Sequence, residues 1–413
     1  MTETLVGPAT EGRGSTPDSD ELVARAAAFR DRLREGQTAA EADGSHSRDL
    51  HDEFVEAGFF HILHPRRYGG LELGLETFFR VIVEISRGDP GVGWNLCLSA
   101  GHAFHLASYY GEAAQEEILG GGRPFVAPSR TPPTGTATPV AGGYRLTGRW
   151  DYCSGSTFAT HALVVAMVPG PDGRAPRPHY VVVPRRDFTV LDDWGGDATL
   201  GMAASASNTI VVDDAVVPAH YAVPFEHRNH EFGPEGTLGY QLHRNPLYLG
   251  RTLTFFNGEL VATQVGAAFA ALDEYEELMG RTTSFFPKVP RVESPVYQRW
   301  YGEIRSLADT SEVALLGAAR RHRELGERWV ETGRPFSVED DVRLRGIILQ
   351  AAQQATRAVD VAFASAGSSA ARKDARMQKY YRDVAMYRTH IAAQFDYVSE
   401  TSARQHFGQP LAF

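Results

Sequence analysis

The chain has 413 residues, of which 43% are hydrophobic and 22% are charged, and its formal net charge is −10 at pH 7. This length is sufficient for two or three domains, and the composition is that of a soluble globular protein. The acidic balance argues against nucleic acid as the main partner. The cysteines, Cys97 and Cys153, give neither a disulfide framework nor a metal-ligand spacing, so we expect a cytoplasmic protein without a metal.

The amino-terminal part of the sequence predicts a tail and then a helical domain. Residues 1–18 are rich in Thr, Gly, Pro and Ser without an apolar core, which predicts a disordered tail rather than a signal peptide. Residues 19–120 follow a helical pattern, with helix starts at Ser47 and Asp89. The stretch 91–110 contains no Lys, Arg, Asp or Glu, but its polar residues predict a buried helix against a pocket rather than a membrane span.

The hydrophobic period changes to two in the middle of the chain, over residues 121–228. Residues 144–149 alternate like a half-buried strand and follow a turn at 141–143. The almost wholly apolar stretch 161–168 predicts a strand that is buried on both faces. We therefore expect a compact antiparallel β-domain, followed by a loop or linker over 229–250 that could cover a site.

The helical period returns in the last part of the chain, 251–413, and holds to its end. Short connections between long helices predict an antiparallel four-helix bundle, so the fold class is α+β. The predicted helices are 252–279, 294–333, 337–366 and 375–407, the third of them opened by a capping box at Ser337.

Common cofactor motifs are absent from the sequence. There is no Gly-x-Gly-x-x-Gly after a strand, no Walker loop, no nucleophile elbow and no metal cluster, so the chain shows no nicotinamide site of its own. The most informative stretch is Gly-Arg-Trp-Asp-Tyr-Cys-Ser-Gly-Ser at 148–156, where a strand runs into hydroxyl and glycine residues. Such a turn suits a binding site, and it suits an ordinary sheet corner as well.

Two sets of polar residues lie in predicted helices. His102 and His105 are three residues apart in the uncharged stretch, which places them on adjacent parts of one face. They suit hydrogen-bonded core residues as well as a site, and as zinc ligands they lack a third partner. Asp383, Tyr387 and His390 share one face of the last predicted helix, which is either a site or a solvated stripe.

The stretch at 148–156 resembles the β-domain motif of flavin-dependent monooxygenases with the acyl-CoA dehydrogenase fold. These are the oxygenase components of two-component systems, such as the p-hydroxyphenylacetate-type aromatic hydroxylases. A Pro-x-x-Tyr-Gly-Gly at 65–70 and the order of the domains extend the resemblance over nearly the whole chain. It places Ser154 beside the flavin N5 and Tyr152 at the position of a family tryptophan. Further flavin contacts are implied for Ser156, Trp194, Ser205 and Ser207. The last two lie in a loop at 201–207 that resembles a family flavin loop but has lost one of its glycines.

The same resemblance suggests roles for the residues of the uncharged helix. In the monooxygenases, a His follows the Gly-Trp pair by the spacing that separates Trp94 from His102. His102 is then the expected base for a substrate hydroxyl, since an imidazole suits that task near neutral pH. His105 is the second candidate, and the resemblance makes Trp94 and Tyr387 substrate contacts.

The last predicted helix distinguishes between two branches of the superfamily that the chain resembles. Acyl-CoA dehydrogenases have a catalytic Glu after a similar Arg-Asp, whereas this chain has His390, at the spacing of a monooxygenase His that helps to stabilise a flavin C4a-hydroperoxide. Glu259 elsewhere in the bundle keeps the dehydrogenase alternative open. Arg281 is similar to an Arg that reaches the flavin phosphate across a subunit boundary, and an exposed Arg after a helix is the equal alternative.

The resemblance thus implies an enzyme that takes FMNH2 or FADH2 from a separate NAD(P)H:flavin reductase and uses O2 to hydroxylate an aromatic, phenol-like substrate. His102, His390 and Ser154 would be its catalytic residues, and the bundle would form a homotetramer. Three alternatives stay open. They are nitrogen oxidation of an amine or amino sugar on the same fold, acyl-CoA dehydrogenation, and flavin binding without catalysis.

Overall fold

A computed structural model describes residues 17–170, 174–225 and 232–410 of the chain. Helices fill the first part of these ranges, strands the middle and helices the last part, in the predicted order. The predicted tail lies outside the described residues except for residues 17 and 18. Within the described residues, no helix combines the length and the apolar character that crossing a membrane requires.

The uncharged stretch expected to form one helix forms two. The break falls at Gly101 and His102, where a Cβ on Gly101 would clash with Glu259 Oε2 and lie 2.7 Å from Phe255 Cζ. His102 is the residue just before α6 and His105 lies within that helix, and both rings pack against Phe256, so the two histidines lie on adjacent parts of one face as predicted. The helices before the sheet are α1 (Ser19–Ala28), α2 (Arg30–Asp43), α3 (Arg48–Glu56), α4 (Gly74–Gly88), α5 (Pro90–Ala100), α6 (Ala103–Tyr109) and α7 (Glu112–Leu119).

The strands form one sheet in the order β5-β6-β2-β1-β3-β4-β7. They are β1 (Ser129–Val140), β2 (Gly143–Cys153), β3 (His161–Val168), β4 (Arg177–Pro184), β5 (Thr189–Val190), β6 (Asn208–Pro218) and β7 (Ala222–Pro224). The β1–β3 pair is parallel, so the prediction of an antiparallel domain is wrong for that pair. The reason is that β2 ends beside the start of β1, and the short segment after β2 crosses that same end of the sheet, so β3 starts beside the start of β1.

Strand β3 is buried on both faces, as its apolar sequence predicts. Ala162 and Val164 pack into one core of the sheet, while Leu163 and Val165 pack into a second core on the other face, together with Leu106 of α6. Helices α6 and α7 therefore cover one face of the sheet. The other helices can contact the sheet at its rim.

The register of β2 against β6 positions the ends of these strands. Cys153 at the end of β2 pairs with Asn208 at the start of β6. The residues just beyond them, Ser154 and Ser207, therefore emerge side by side at one rim of the sheet. Two unrelated stretches of sequence are brought together in this way.

The carboxyl-terminal helices are α8 (Leu238–His243), α9 (Thr252–Arg281), α10 (Pro295–Thr332), α11 (Val338–Ala366), α12 (Arg376–Tyr387) and α13 (Phe395–His406). Helix α9 packs against α10, α11 and the earlier helix α4. The capping box at Ser337 is confirmed, since its side chain accepts from the Asp340 N–H and the Asp340 carboxylate accepts from the Ser337 N–H.

Two predictions for this part of the chain are wrong. The expected last helix is broken between α12 and α13, because His390 Nδ1 accepts the Ala392 N–H and starts a short turn. His390 thus follows the helix that carries Asp383 and Tyr387 and does not share its face. The segment 229–250, expected to be a loop, contains α8, which begins where the Thr237 side chain accepts the Tyr240 N–H. Residues 229–231 lie outside the described ranges.

Candidate active site

A cavity of about 560 Å³ lies where the rim of the sheet meets helices α5, α9, α11 and α12. Its volume is within the range of small-molecule and cofactor sites. The sequence-predicted residues that line it are Trp94, His102, Tyr152, Ser154, Trp194, Ser205, Ser207, Tyr387 and His390. Residues separated by almost 300 positions in the chain thus share one enclosed space.

Three serine hydroxyls and one indole N–H form a connected cluster in the cavity lining. Trp94 Nε1 donates to Ser154 Oγ at 3.0 Å, Ser154 Oγ lies 2.7 Å from Ser207 Oγ, and Ser207 Oγ lies 2.6 Å from Ser205 Oγ. We call Trp94, Ser154, Ser205 and Ser207 the serine cluster. Its members hold one another in place, so the hydroxyls keep a fixed geometry before any ligand arrives.

Gly155 allows the serine cluster to sit against helix α5. Its φ is +80°, and a Cβ at this position would lie 2.7 Å from the Ser99 Cβ and 2.9 Å from the Asn95 carbonyl oxygen. Only glycine combines this backbone conformation with such a close approach. The turn after β2 thereby brings Ser154 within reach of the Trp94 indole.

The loop that supplies Ser205 and Ser207 has two non-glycine residues in the left-handed region. Met202 has φ +54° and Ala206 has φ +51°, a conformation that costs about 1 kcal/mol or more per residue without compensation. Compensation comes from helix α12 and the β-domain. Asp383 Oδ1 accepts the Met202 N–H at 2.6 Å, and Trp194 Nε1 donates to the Met202 carbonyl at 3.1 Å. At Ala206 the N–H donates to the Gly44 carbonyl at 2.9 Å and the carbonyl accepts the Ser156 hydroxyl at 2.8 Å, so this residue too is held in its left-handed conformation.

A buried ion cluster connects this loop to two helices. Lys379 Nζ donates to Asp89 Oδ1 at 3.0 Å and to Asp383 Oδ2 at 2.8 Å, and all three side chains are almost completely buried. Burial alone would lower the Lys379 pKa, but the two carboxylates outweigh it and the pKa is raised. Because Asp89 caps α5 and Asp383 holds Met202, one ammonium group fixes α5, α12 and the loop relative to one another.

His102 presents an unprotonated ring nitrogen to the cavity. Its Nδ1 lies 2.7 Å from the Ala127 carbonyl oxygen, which can only accept, so Nδ1 carries the proton. Burial lowers the His102 pKa to about 4, and the ring is neutral at pH 7. Nε2 is then a hydrogen-bond acceptor, and it lies 3.9 Å from Glu259 Oε1.

His390 has the opposite tautomer. Its Nδ1 accepts the Ala392 N–H at 3.1 Å, so in the neutral ring Nε2 carries the proton. Burial, assisted by the charge of Arg130, lowers the His390 pKa to about 4. The ring packs edge-on against Trp94, with centroids 5.9 Å apart. The cavity thus contains one histidine that accepts and one that donates.

Three predicted site residues lie outside the cavity lining. Ser156 is buried behind the serine cluster, where its hydroxyl donates to the Ala206 carbonyl. His105 lies within α6 and packs against Tyr180, with ring centroids 4.5 Å apart. Arg281 ends α9 and pairs with Glu274 at 3.1 Å. A reach of Arg281 across a subunit boundary stays a prediction.

The cavity lining also contains residues to which the sequence analysis gave no place in the site. Ser129 and Arg130 come from the start of β1 and Arg345 from the middle of α11, where the sequence gives no signal. For Glu259 the sequence suggests only a possible role in the dehydrogenase alternative. A signal did exist for it, because a single carboxylate interrupts a long apolar stretch of α9 and charged residues are rarely buried alone.

The arrangement of helices around one sheet, with a hydroxyl-lined cavity at its rim, is that of acyl-CoA dehydrogenase-like proteins. Two sequence-family models match, the acyl-CoA dehydrogenase N-terminal domain over residues 16–119 and the acyl-CoA dehydrogenase C-terminal domain over residues 260–395. The crystal structure of 3-HSA hydroxylase from Rhodococcus sp. RHA1 superposes with a TM-score of 0.84 at 26% identity, covering 95% of this chain and 98% of that one.

Two curated relatives narrow the family. The pigment production hydroxylase of Rhodococcus sp. (strain ATCC 21145) is 29% identical over 87% of this chain and 89% of its own length. The FADH(2)-dependent resorcinol hydroxylase, oxygenase component, of Rhizobium sp. (strain MTP-10005) is 27% identical over 92% of this chain and 91% of its own length. The chain belongs to the oxygenase components of two-component flavin-dependent monooxygenases built on the acyl-CoA dehydrogenase fold. The resemblance read from its motifs is confirmed.

Proposed function

We propose that this chain hydroxylates an aromatic, phenol-like substrate, using O2 and a reduced flavin that a separate NAD(P)H:flavin reductase delivers. The observation that carries the proposal is that one cavity joins the serine cluster to a neutral histidine acceptor, His102. The names of the relatives, hydroxylases that include an FADH2-dependent oxygenase component, support the same class of reaction.

The residues of the cavity fit a flavin ring. Ser154, Ser205 and Ser207 supply hydroxyls that can both donate and accept, as the polar edge of an isoalloxazine requires, and Ser154 is the expected N5 contact. Tyr152 and Trp194 stand beside them with ring centroids 5.7 Å apart. When bound, reduced flavin supplies the electrons that activate O2, so that one oxygen atom goes to the substrate and the other leaves as water.

Helix α5 separates the two functions of the cavity. Trp94 lies in the serine cluster, and His102 follows eight residues later, which corresponds to about 12 Å along a helix. We therefore place the flavin at the Trp94 end and the substrate hydroxyl at the His102 end. His102 Nε2 takes the hydroxyl proton, which raises the electron density of the aromatic ring and favours electrophilic oxygen transfer to it.

His390 and the apolar lining provide the second requirement, a dry site with few donors. His390 Nε2–H is a neutral donor that can hold the reacting oxygen without releasing a proton, since the His390 pKa is lowered to about 4 by burial and by Arg130. Phe256, Leu260 and Met386 line the same space and exclude water from it.

The assembly and the location of the protein are part of the proposal. A homotetramer built through the carboxyl-terminal helices would allow Arg281 to reach the flavin phosphate of a neighbouring subunit. A cytoplasmic location agrees with two buried, unpaired thiols, Cys97 and Cys153.

Incorporation of labelled oxygen tests the reaction. The protein is mixed with a generic flavin reductase, NADH, either FMN or FAD, and 18O2, and a panel of phenols is searched by mass spectrometry for a product carrying one 18O atom. We expect such a product from at least one phenol. The His102→Asn variant keeps a side-chain N–H for the Ala127 carbonyl but has no base, and it should form product about a hundredfold more slowly.

Two parallel arms of this experiment separate the alternatives. If only amines gain oxygen, the substrate class is wrong and the nitrogen-oxidation alternative stands. If acyl-CoA substrates reduce bound flavin without O2, the dehydrogenase alternative stands. The proposed hydroxylation is contradicted if no phenol gains labelled oxygen and neither of these two arms gives a product.

A further inference from the structure

Glu259 is a buried carboxyl group without a hydrogen-bond partner. It lies on α9, its side chain is 0% exposed, and both carboxyl oxygens lack a hydrogen-bond partner among the described residues. Its environment raises its pKa well above the usual value, and burial is the cause. Burying a carboxyl group without a hydrogen-bond partner destabilises the fold. A contribution to the stability of the protein without a ligand therefore does not explain why Glu259 is buried.

Glu259 packs against Gly101 and lines the cavity. Gly101 has no side chain at the helix break, and a Cβ there would clash with Glu259 Oε2. Oε1 lies 3.9 Å from His102 Nε2, which is too long for a hydrogen bond, and both residues line the cavity. Burial lowers the His102 pKa to about 4 and raises the Glu259 pKa well above its usual value, so it disfavours the charged form of both groups and an ion pair between them.

The 3.9 Å separation suits one oxygen atom placed between the two groups. A hydroxyl oxygen in this position can lie about 2.8 Å from each of them. It can donate its proton to the bare His102 Nε2 and accept the proton of the neutral Glu259 carboxyl. The pair thus presents one acceptor and one donor, the complement of a hydroxyl group.

We propose that Glu259 and His102 together form a two-point clamp for a single substrate hydroxyl, which makes Glu259 a specificity-determining residue for phenols. The inference rests on the proposed function and deepens it. When the phenol O–H bond breaks and the proton forms an N–H bond at His102 Nε2, the phenolate oxygen keeps two donors, His102 N–H and Glu259 O–H. When the hydroxylated ring regains aromaticity, its carbon loses a proton to the oxygen atom that leaves as water, and the imidazolium returns its own proton to the phenolic oxygen.

A matched pair of probes tests the clamp by binding rather than by turnover. 4-Nitrophenol has the hydroxyl group and 4-nitroanisole has a methyl ether in its place, and the dissociation constants of both are measured by equilibrium dialysis, without O2, with and without reduced FMN. We expect 4-nitrophenol to bind at least about tenfold more tightly than 4-nitroanisole. In Glu259→Leu this ratio should fall to near one, while in Glu259→Gln, which keeps a donor, it should change by no more than about threefold.

Three further variants and one stability measurement make the result specific. Glu276→Leu removes an exposed carboxylate from the same helix, remote from the cavity, and should leave the ratio unchanged. His102→Asn should lower the ratio as Glu259→Leu does, and the double variant should lose no more than the larger single loss, because both residues act on one oxygen. Urea unfolding of Glu259→Leu should require the same or a higher denaturant concentration, which shows that the variant folds.

The outcomes separate this inference from the proposed function. If a phenol gains labelled oxygen but Glu259→Leu still binds 4-nitrophenol more tightly than 4-nitroanisole by the original ratio, the clamp is wrong and the proposed hydroxylation stands. If 4-nitrobenzylamine binds more tightly than 4-nitrophenol and only its binding depends on Glu259, the hydroxyl assignment is overturned in favour of an amine.

Discussion

The serine cluster and the His102–Glu259 pair line the same cavity but treat their polar groups in opposite ways. In the serine cluster each side chain is hydrogen-bonded to another, at 2.6 to 3.0 Å. The carboxyl of Glu259 has no hydrogen-bond partner among the described residues, and His102 Nε2 lies 3.9 Å from its Oε1. One region is complete before a ligand binds, whereas the other is completed by the ligand.

This difference has an energetic meaning. Paired buried groups contribute to stability, so removing one partner costs the desolvation of the group left behind. An unpaired buried group already carries that cost, and removing it costs little or nothing. Mutations in the two regions should therefore move stability and ligand binding in different proportions.

The largest effect is expected from the ion cluster that supports the serine cluster. Lys379→Met leaves Asp89 and Asp383 buried together without a cation. We expect a loss of about 3–5 kcal/mol in the free energy of unfolding, measured by urea denaturation. Lys373→Met removes an exposed lysine nearby and should stay within about 0.5 kcal/mol of the original protein. Equal effects of the two substitutions would show that the cluster does not support the fold.

A smaller loss is expected inside the serine cluster itself. Ser154→Ala deprives the buried Trp94 indole N–H of its acceptor and Ser207 of a partner. The free energy of unfolding should fall by about 1–3 kcal/mol, and affinity for reduced FMN, measured anaerobically by fluorescence, should fall as well. Ser154→Thr keeps the hydroxyl and should preserve at least part of both quantities. Unchanged flavin affinity in Ser154→Ala would remove this residue from the flavin site.

The loss of folding stability at acidic pH reports on the protonation of His102. Burial lowers its folded-state pKa from 6.5 to about 4, so between these pH values the unfolded chain binds a proton that the folded chain does not. Stability is then lost as the pH falls from about 6.5 to 4, with a slope of up to about 1.4 kcal/mol per pH unit for this one residue. In His102→Asn the slope should be shallower by that amount, as measured by urea denaturation at several pH values. An identical slope would mean that His102 titrates normally.

The smallest effect is expected at another unpaired group. The Tyr387 hydroxyl is buried in the cavity lining and has no hydrogen-bond partner among the described residues. Tyr387→Phe should therefore change the free energy of unfolding by less than about 1 kcal/mol, in contrast to Ser154→Ala. Binding of a substrate that uses the hydroxyl should weaken. A large loss of stability would contradict the distinction between paired and unpaired regions.

Local signals in the sequence predicted the helices and strands where neighbouring residues decide the structure. Asp89, Ser47 and Ser337 each begin a helix by accepting a backbone N–H, and a side chain and backbone three residues apart are sufficient for that. The resemblance then identified Ser154, His102 and His390, which the structure places around one cavity. Their catalytic roles stay predictions.

What the sequence did not predict depends on contacts between distant elements. The helix break at Gly101 lies against the side chains of Phe255 and Glu259 on α9, which are more than 150 positions away and leave no room for a Cβ there. The break before His390 depends on a hydrogen bond to Ala392 that competes with the helix. Helical periodicity continues through both breaks, so no pattern analysis of a single segment reveals them.

The irregular start of β1 has a consequence for the range of molecules that the chain can accept. Beside β3, the chain advances five residues along β1 from Arg130 to Gly135 while β3 advances only two, from Val164 to Ala166. Thr131 and Pro132 lie in this irregular stretch and line the cavity. Because this bulge lies outside the paired register, adding or deleting a residue within it should resize the chamber while the strands keep their alignment. Evolution or protein engineering could thus adjust substrate size here at little cost to the rest of the molecule.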